Sequence, residues 1–356
     1  MILARYFVIA ILRGYVIVAM ALLALFALFA FMEEAGDIGE GAYSARDALL
    51  FVAMGLPVTL LDLAPFIVVL GTIFGLAGFL RTQELLAVRA AGQSLLRIAG
   101  YAAIAALLGL VILVPLEFSA RPLLQQGLLY RLSEQSPDGN LLDRNGSWIA
   151  RDNTFVYVGS LAGGQRPSDI SEFVFDDTLA LTRFTHARAA DILAPERWRL
   201  RDVDIRRIRP DGHEREIRSD MEWQPIWYPA QLLREFPLGS LTLAELRQQM
   251  AFLEASATPN AAPALEFWRR LLAPLMILSF AVLGAGLIGA VRPRSSGGLV
   301  ILSGIALAIG LYLFLQIGIN AGARFGLTPA LAVTLPTAAL CALAGALLKR
   351  IHERPR

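Results

Sequence analysis

The run Gly14-Tyr-Val-Ile-Val-Ala-Met-Ala-Leu-Leu-Ala-Leu-Phe-Ala-Leu-Phe-Ala-Phe-Met32 carries no charged side chain. About 20 such residues in a helix cross the hydrocarbon core of a bilayer. Five further runs match it: Leu63–Leu80, Ile98–Leu116, Leu271–Val291, Leu299–Gly318 and Ala330–Leu348. Three precede a long polar stretch and three follow it. The order predicts a membrane α-helical bundle of six spans, with one extramembrane domain inserted between spans three and four. Unpaired backbone amides are not tolerated in lipid, so the spans are expected as helices despite Pro65, Pro115, Pro274 and Pro336. A cleaved signal peptide is the other reading of the first run. Its apolar stretch exceeds the usual length of about 7–15 residues, and no A-x-A site follows.

Orientation follows from the basic residues beside the spans. Arg5 and Arg13, then Arg81, Arg89 and Arg97, then Arg292 and Arg294, then Lys349, Arg350, Arg354 and Arg356 all fall on one side. The other side carries Glu33, Glu34, Asp37, Glu40 and Asp47 against Arg46, and only Arg324 in its last loop. Both termini are therefore expected in the cytoplasm, with the inserted domain outside. The domains are expected at residues 1–117 (three spans), 118–265 (external domain ending in a linker helix) and 266–356 (three spans and a tail).

Residues 118–265 hold 17 arginines against 20 aspartates and glutamates, in a chain of formal charge +2. That balance argues against a nucleic-acid surface. The single cysteine, Cys341, lies in the sixth run, so no disulfide staples the domain.

The external domain reads as all-β. Ser147–Ala150, Asn153–Ser160, Ile170–Phe175, Leu179–Ala187, Arg197–Arg209 and Glu216–Trp223 are rich in β-branched and aromatic residues. Turn clusters at 143–146, Gly163-Gly164, Asp176-Asp177 and Pro210-Asp-Gly212 separate them. Such spacing predicts a sandwich or jelly roll. Trp198, Leu200, Val203 and Ile205 break strict alternation once, as a bulge does. Thr242 and Glu245 then have capping-box spacing ahead of Leu243, Leu246, Met250 and Leu253 at helical intervals. That helix should lead through a Pro/Ala-rich linker, Ala257–Ala264, to span four.

Catalytic motifs are largely missing. Lys349 is the only lysine, so a P-loop cannot be built. His186, His213 and His352 are isolated, and His213-Glu-Arg-Glu-Ile217 lacks the second histidine of a zincin helix. Gly284, Gly286 and Gly289 fall inside a span, where small residues permit close helix packing. No catalytic residue, metal or cofactor is expected on this chain.

Two features carry a mechanism. The cytoplasmic segment from Arg81 to Gly92 predicts a short helix starting near Thr82 and capped by Gly92. Glu84 and Val88 share one face, with Leu85 and Arg89 one step around. Such a helix suits a groove on a partner; an interfacial helix on lipid has the same composition. The second feature is the mouth of the bundle: Phe26, Phe29 and Phe31 on span one, and Tyr312, Phe314 and Gln316 on span five. They are candidates for an amphiphile's path, although lipid contact or ordinary helix packing accounts for the same residues. Asp62 is expected at the external interface, since an acid at the bilayer centre is costly.

Pro65-Phe-Ile-Val-Val-Leu70 and Gly75-Leu-Ala-Gly-Phe-Leu-Arg-Thr-Gln-Glu-Leu-Leu-Ala-Val-Arg-Ala-Ala-Gly92 resemble the second span and coupling helix of the lipopolysaccharide-export permeases, the LptF/LptG family. The resemblance extends to the 3 + domain + 3 layout, Gly146-Ser-Trp-Ile-Ala150, Phe155-Val-Tyr157, Leu241-Thr-Leu-Ala-Glu-Leu246 and Glu266-Phe-Trp-Arg-Arg-Leu-Leu-Ala-Pro274. The strand pair and Trp223-Gln-Pro-Ile-Trp227 look more like the LptG branch. It implies a non-catalytic permease of the bacterial inner membrane that extracts lipopolysaccharide and passes it to a periplasmic bridge. The implied partners are a paralogous six-span subunit (LptF-like), a dimeric cytoplasmic ATPase (LptB-like) that carries the ATP and Mg, and a single-span periplasmic jelly-roll protein (LptC-like). By motif match, ATPase coupling falls on Glu84, Leu85, Val88, Arg89 and Gly92. The substrate path falls on Phe26, Phe29, Ala30, Arg131, Tyr312, Phe314, Gln316 and Arg324, with Arg131 resembling a lipid-phosphate contact and spans one and five supplying lateral gates. The family often places lysines at the outer end of span one, where this chain has Ala30, Glu33, Glu34, Gly36 and Asp37.

Other readings stand beside this one. A mechanotransmitting ABC scaffold places its external domain after the first span, whereas here the domain follows the third. A permease for another envelope lipid fits the same layout. A lipid-modifying enzyme needs polar groups clustered at one membrane depth, and the sequence shows none.

Overall fold

Helices outrun the apolar stretches that nucleate them, because propagation needs only hydrogen-bonded continuity and not a lipid environment. In the computed structural model, the described residues are 2–90, 93–135, 146–151, 153–162, 166–176, 178–194, 197–209, 212–224, 237–255, 260–290 and 297–353. They form α1 (Ile2–Glu34), α2 (Ala45–Arg81), α3 (Glu84–Ala90), α4 (Leu95–Gln135), six strands, α5 (Leu243–Ala255), α6 (Ala261–Leu271), α7 (Ala273–Ala290), α8 (Gly297–Arg324) and α9 (Pro329–Glu353).

Five helices, α1, α2, α4, α8 and α9, are each long and apolar enough to cross a membrane. The fourth expected span is instead a bent pair, α6 and α7, meeting at 52°. Pro274 stands just past the break at Leu272; it has no amide hydrogen, and its ring crowds the carbonyl four residues earlier. Residues 261–264 are accordingly helix and not the expected linker.

Two sequence boundaries are corrected. Helix α2 begins at Ala45, so Asp62 lies inside it and not ahead of it. Helix α4 continues to Gln135, so the segment after Phe118 is helical and the first strand starts only at Ser147. In both places the drop in hydrophobicity marks a change of surroundings, not the end of the helix.

The chain divides into two units: Met1–Ala30, Gly55–Pro122 and Leu238–Arg356 form one, Phe31–Met54 and Leu123–Pro237 the other. In the first, helices pack around one apolar cluster that includes Phe7, Ile11, Val69, Ile73, Leu76, Ala102, Phe280 and Val333. Helices in lipid gain little from the hydrophobic effect and depend on close contact. Helices α1 and α2 meet where Gly14 faces Gly71 and where Gly75 faces Ala10 and Ile11; a Cβ on any of these glycines would overlap backbone. Beside this crossing the Tyr15 hydroxyl and Thr72 Oγ1 share a buried hydrogen bond of 3.1 Å. The capping box ahead of α5 forms as read: Thr242 N donates to Glu245 Oε2 at 2.8 Å, and Glu245 N to Thr242 Oγ1 at 3.2 Å.

In the second unit β1 (Ser147–Arg151), β2 (Thr154–Ala162), β3 (Arg166–Phe175), β4 (Leu181–Ala194), β5 (Arg197–Arg209) and β6 (Gly212–Trp223) make one antiparallel sheet in sequence order. One face buries Val156, Val158, Ile170, Ala187, Trp198, Leu200, Val203, Ile205 and Trp223. The break in alternation read in β5 is real, and it crosses the sheet. The ladders step from Val158↔Ile170 to Ser160↔Ser168, from Ile170↔Ala187 to Ser168↔Ala189, from Ala187↔Val203 to Ala189↔Arg201, and from Val203↔Arg218 to Arg201↔Asp220. Gly159, Asp169, Arg188, Asp202 and Ser219 thus fall in one row that the ladders skip. Asp169 and Asp202 take left-handed backbone there, φ 54° and 52°. Because neighbouring strands are displaced together, register survives while β4 and β5 change which parity faces the core, Ala187 to Ala190 and Leu200 to Val203.

Candidate functional site

Helix α3 follows α2 after a sharp reversal at Gln83, whose φ is 60°. A left-handed residue cannot continue a helix, so α3 starts at Glu84, two residues later than the sequence suggested. Glu84 sits in the first turn, where a carboxylate is favoured by the helix dipole. Tyr6 of α1 donates its hydroxyl proton to Glu84 Oε2 at 3.2 Å. The Tyr6 ring lies 5.2 Å from Phe79, Phe79 lies 4.6 Å from Phe7, and Phe7 lies 5.8 Å from Tyr101. An aromatic pad from α1, α2 and α4 therefore adjoins the start of α3. Val88 packs against the bundle core. Leu85 and Arg89 are placed in α3 by backbone only, and Gly92 lies outside the described residues.

On α8 the Tyr312 ring stands 4.9 Å from Phe66 of α2, and Gln316 Nε2 donates to the Tyr312 hydroxyl at 2.9 Å. Phe314, two residues along, is exposed on another face, so the helix groups Tyr312 with Gln316 and leaves Phe314 out. Arg324 is exposed in the last turn of α8. On α1, Phe26 and Phe29 are exposed and Ala30 is half-buried.

The C-terminal end of α1 is charged and ion-paired. Glu34 is buried, and its Oε2 lies 3.2 Å from Arg131 Nε and accepts from the Tyr43 hydroxyl at 2.9 Å. Arg131 also bonds Asp37, and its guanidinium lies 5.4 Å from the Phe51 ring centroid. Gln135 Nε2 reaches the same Asp37 carboxylate at 3.4 Å. Burial, with the Glu34 carboxylate next in weight, pushes the Tyr43 phenol well above its usual range. The arginine matched to a lipid-phosphate contact is thus held by two carboxylates.

One group of functional weight escaped the sequence reading. Arg121, fully buried, lies 3.3 Å from Asp62 Oδ1 and 3.3 Å from Glu117 Oε1, and donates to the Gly239 carbonyl. Arg270 pairs with Glu266 at 2.7 Å and donates to the carbonyls of Leu238 (2.7 Å) and Leu241. Two arginines thereby hold the segment entering α5 against α4 and α6. Its one sequence signal was Glu117/Arg121 and Glu266/Arg270 at i,i+4 spacing; the pairing with Asp62 and with backbone carbonyls left no trace.

Hydrolytic and metal chemistry find no support among the described residues. His186 Nδ1 is approached by both Ser171 Oγ (3.2 Å) and Asp169 Oδ1 (3.7 Å), so serine and acid compete for one ring nitrogen and do not bracket the ring as a triad requires. No group of three or more potential ligands gathers for a metal among them.

The profile of the family described as "Lipopolysaccharide export system permease LptF/LptG" matches residues 5–350. The chain is 24% identical over 343 residues to the lipopolysaccharide export system permease protein LptG of Haemophilus influenzae, covering 94% of each protein. It is 22% identical over 338 residues to the protein of that name from Escherichia coli K12, covering 92% of each.

Proposed function

The chain belongs to the LptF/LptG family of lipopolysaccharide export permeases, and from that premise we propose how its parts serve export. It is a multi-pass inner-membrane permease and does no chemistry of its own. ATP hydrolysis belongs to a separate subunit, and lipopolysaccharide is the substrate of the complex. The bundle uses six spans, with α6 and α7 together as the fourth. Both termini and α3 face the cytoplasm, and the creased sheet is the periplasmic jelly-roll-like domain. The assembly is a pair of paralogous six-span subunits on a dimeric ATPase that binds ATP and Mg, with a single-span jelly-roll protein continuing the path. Glu84, Leu85, Val88, Arg89 and Gly92 form the ATPase-docking edge. Phe26, Phe29, Ala30, Tyr312, Phe314 and Gln316 border the lateral opening, and Arg131 and Arg324 stand beside the headgroup.

The observation that carries this reading is the family match along residues 5–350, which spans bundle, α3 and sheet alike. Basic residues flank the ends assigned to the cytoplasm, and acidic ones the opposite ends. The test is reconstitution of the chain with its co-purifying subunits in proteoliposomes loaded with lipopolysaccharide. ATP-dependent release to an added periplasmic acceptor is expected. ATP turnover with no release, or release of another envelope lipid only, would overturn the assignment.

A further inference from the structure

Helix α1 packs more closely along its first half than along the stretch from Val16 to Met32. Toward its N-terminus Phe7 and Ile11 are fully buried, Gly14 lies against Gly71, and Tyr15 bonds Thr72. Beyond Tyr15 most of its large residues are exposed, Met20, Phe26, Phe29 and Met32 among them, while Val18 and Leu22 still pack on the core and Glu34 is buried against Arg131 and Tyr43. The glycine crossing leaves no room for α1 to slide on α2 without overlap, so the fastened half moves as one body with its neighbour. At the extreme of that half, the only polar link between α1 and α3 among the hydrogen bonds described is Tyr6 to Glu84.

We propose that the Tyr6 hydroxyl, bound to Glu84 at the first turn of α3, is the transmission contact through which displacement of the docking helix reaches the first span. This rests on the reading of α3 as the ATPase-docking element. Glu84 has two carboxylate oxygens: Oε2 accepts from Tyr6, and among the described residues Oε1 takes no bond, which leaves it for a donor on the partner. One acid can therefore hold the ATPase and α1 together. The hydroxyl sits on a half-exposed ring beside Phe7 and Phe79, so its bond ties Glu84 to the aromatic pad at the inner end of α1. A shift entering at α3 is then delivered at the inner end of a helix braced near Gly14, and it reaches the stretch between that crossing and the Glu34 anchor, where Phe26 and Phe29 lie. Tyr6 is a positioning residue in this scheme; it touches neither nucleotide nor lipid.

The test uses the whole reconstituted complex and three readouts: ATPase co-purification, ATP turnover, and lipopolysaccharide released per ATP hydrolysed. Tyr6→Phe keeps the ring and removes only the hydroxyl. It should leave co-purification and turnover intact while the released-per-ATP ratio falls about tenfold, which corresponds to about 1.4 kcal/mol. Tyr101→Phe, in the same aromatic pad, should keep the native ratio. An unchanged ratio in Tyr6→Phe, loss of the ATPase from that variant, or an equal fall in Tyr101→Phe would each overturn the proposal. Glu84→Arg separates the two ideas: if it keeps the ATPase bound, the docking reading fails, whatever Tyr6→Phe does.

Discussion

Arg131 Nε lies 3.2 Å from the Glu34 carboxylate, and Glu34 is only 5% exposed. A guanidinium between two carboxylates is preorganised and locally overbalanced by negative charge. Truncating one partner of a buried pair leaves the other unsatisfied, so Glu34→Ala should lower stability by about 1–3 kcal/mol. Asp37→Ala should lose less, since that carboxylate is more exposed. Thermal unfolding of the detergent-solubilised chain reads the difference; equal losses would mean that Glu34 is not the anchoring partner.

The proposed headgroup site includes this cluster. An incoming phosphate must displace a carboxylate to reach Arg131, and Asp37 is the more accessible of the two. Asp37→Asn should therefore increase photo-crosslinking of lipopolysaccharide at the mouth of the bundle. Arg131→Glu should reduce it more than Arg166→Glu on the sheet. Crosslinking insensitive to all three would place the anion on the partner subunit.

Docking at α3 predicts that Glu84→Arg reverses the charge presented to the ATPase while the six-span fold persists. The variant should lose ATPase on size-exclusion chromatography and lose export, with its melting temperature close to native. Native export by this variant would remove Glu84 from the interface.

Leu179 offers a direct check of orientation. It is 74% exposed in a turn held by Asp176, which accepts from Thr178 N and Ala180 N at 2.9 Å each. In a Cys341→Ala background, Leu179→Cys should react with a membrane-impermeant thiol reagent in intact spheroplasts. Reaction only after lysis would put the sheet in the cytoplasm.

Acid should loosen the sheet. Asp204 accepts from Arg215 and Arg206 at 3.0 Å, and these bonds hold its carboxyl below the usual range; the Thr178 hydroxyl does the same for Asp176. A carboxylate depressed in the fold adds stability above its unfolded value, about 3.9, and that contribution disappears as pH falls through the folded value. The unfolding temperature of the full chain, followed by the fluorescence of buried Trp198, should hold between pH 7 and 5 and drop toward pH 3. Asp204→Asn should start lower at neutral pH and drop less.

Local signals carried most of the architecture. Apolar runs located the spanning helices, β-rich runs located all six strands although β4 runs on past Ala187 to Ala194, and Thr242 with Glu245 announced α5. What stayed hidden depends on residues far apart in sequence. Asp62 with Arg121 and Glu34 with Arg131 are pairings that no period encodes, and α4 past Phe118 looks like a loop because its composition changes while its hydrogen bonds do not. The crease was visible in β5 alone, where Trp198, Leu200, Val203 and Ile205 are large enough to report parity. Its other members, Gly159, Asp169, Arg188 and Ser219, are small or polar and carry no such mark.

That row yields the last prediction. Asp202 holds φ 52° in the middle of a strand, a conformation that disfavours β-branched residues most and glycine least. Asp202→Gly should be tolerated, while Asp202→Val should cost about 1–2 kcal/mol from left-handed strain alone. If the aligned skips are what let both halves of each strand face one core, the valine variant should also expose Trp198, read as increased quenching by a soluble quencher. Equal stability and equal quenching in the two variants would mean that the parity change is imposed by the core and does not need the left-handed residue.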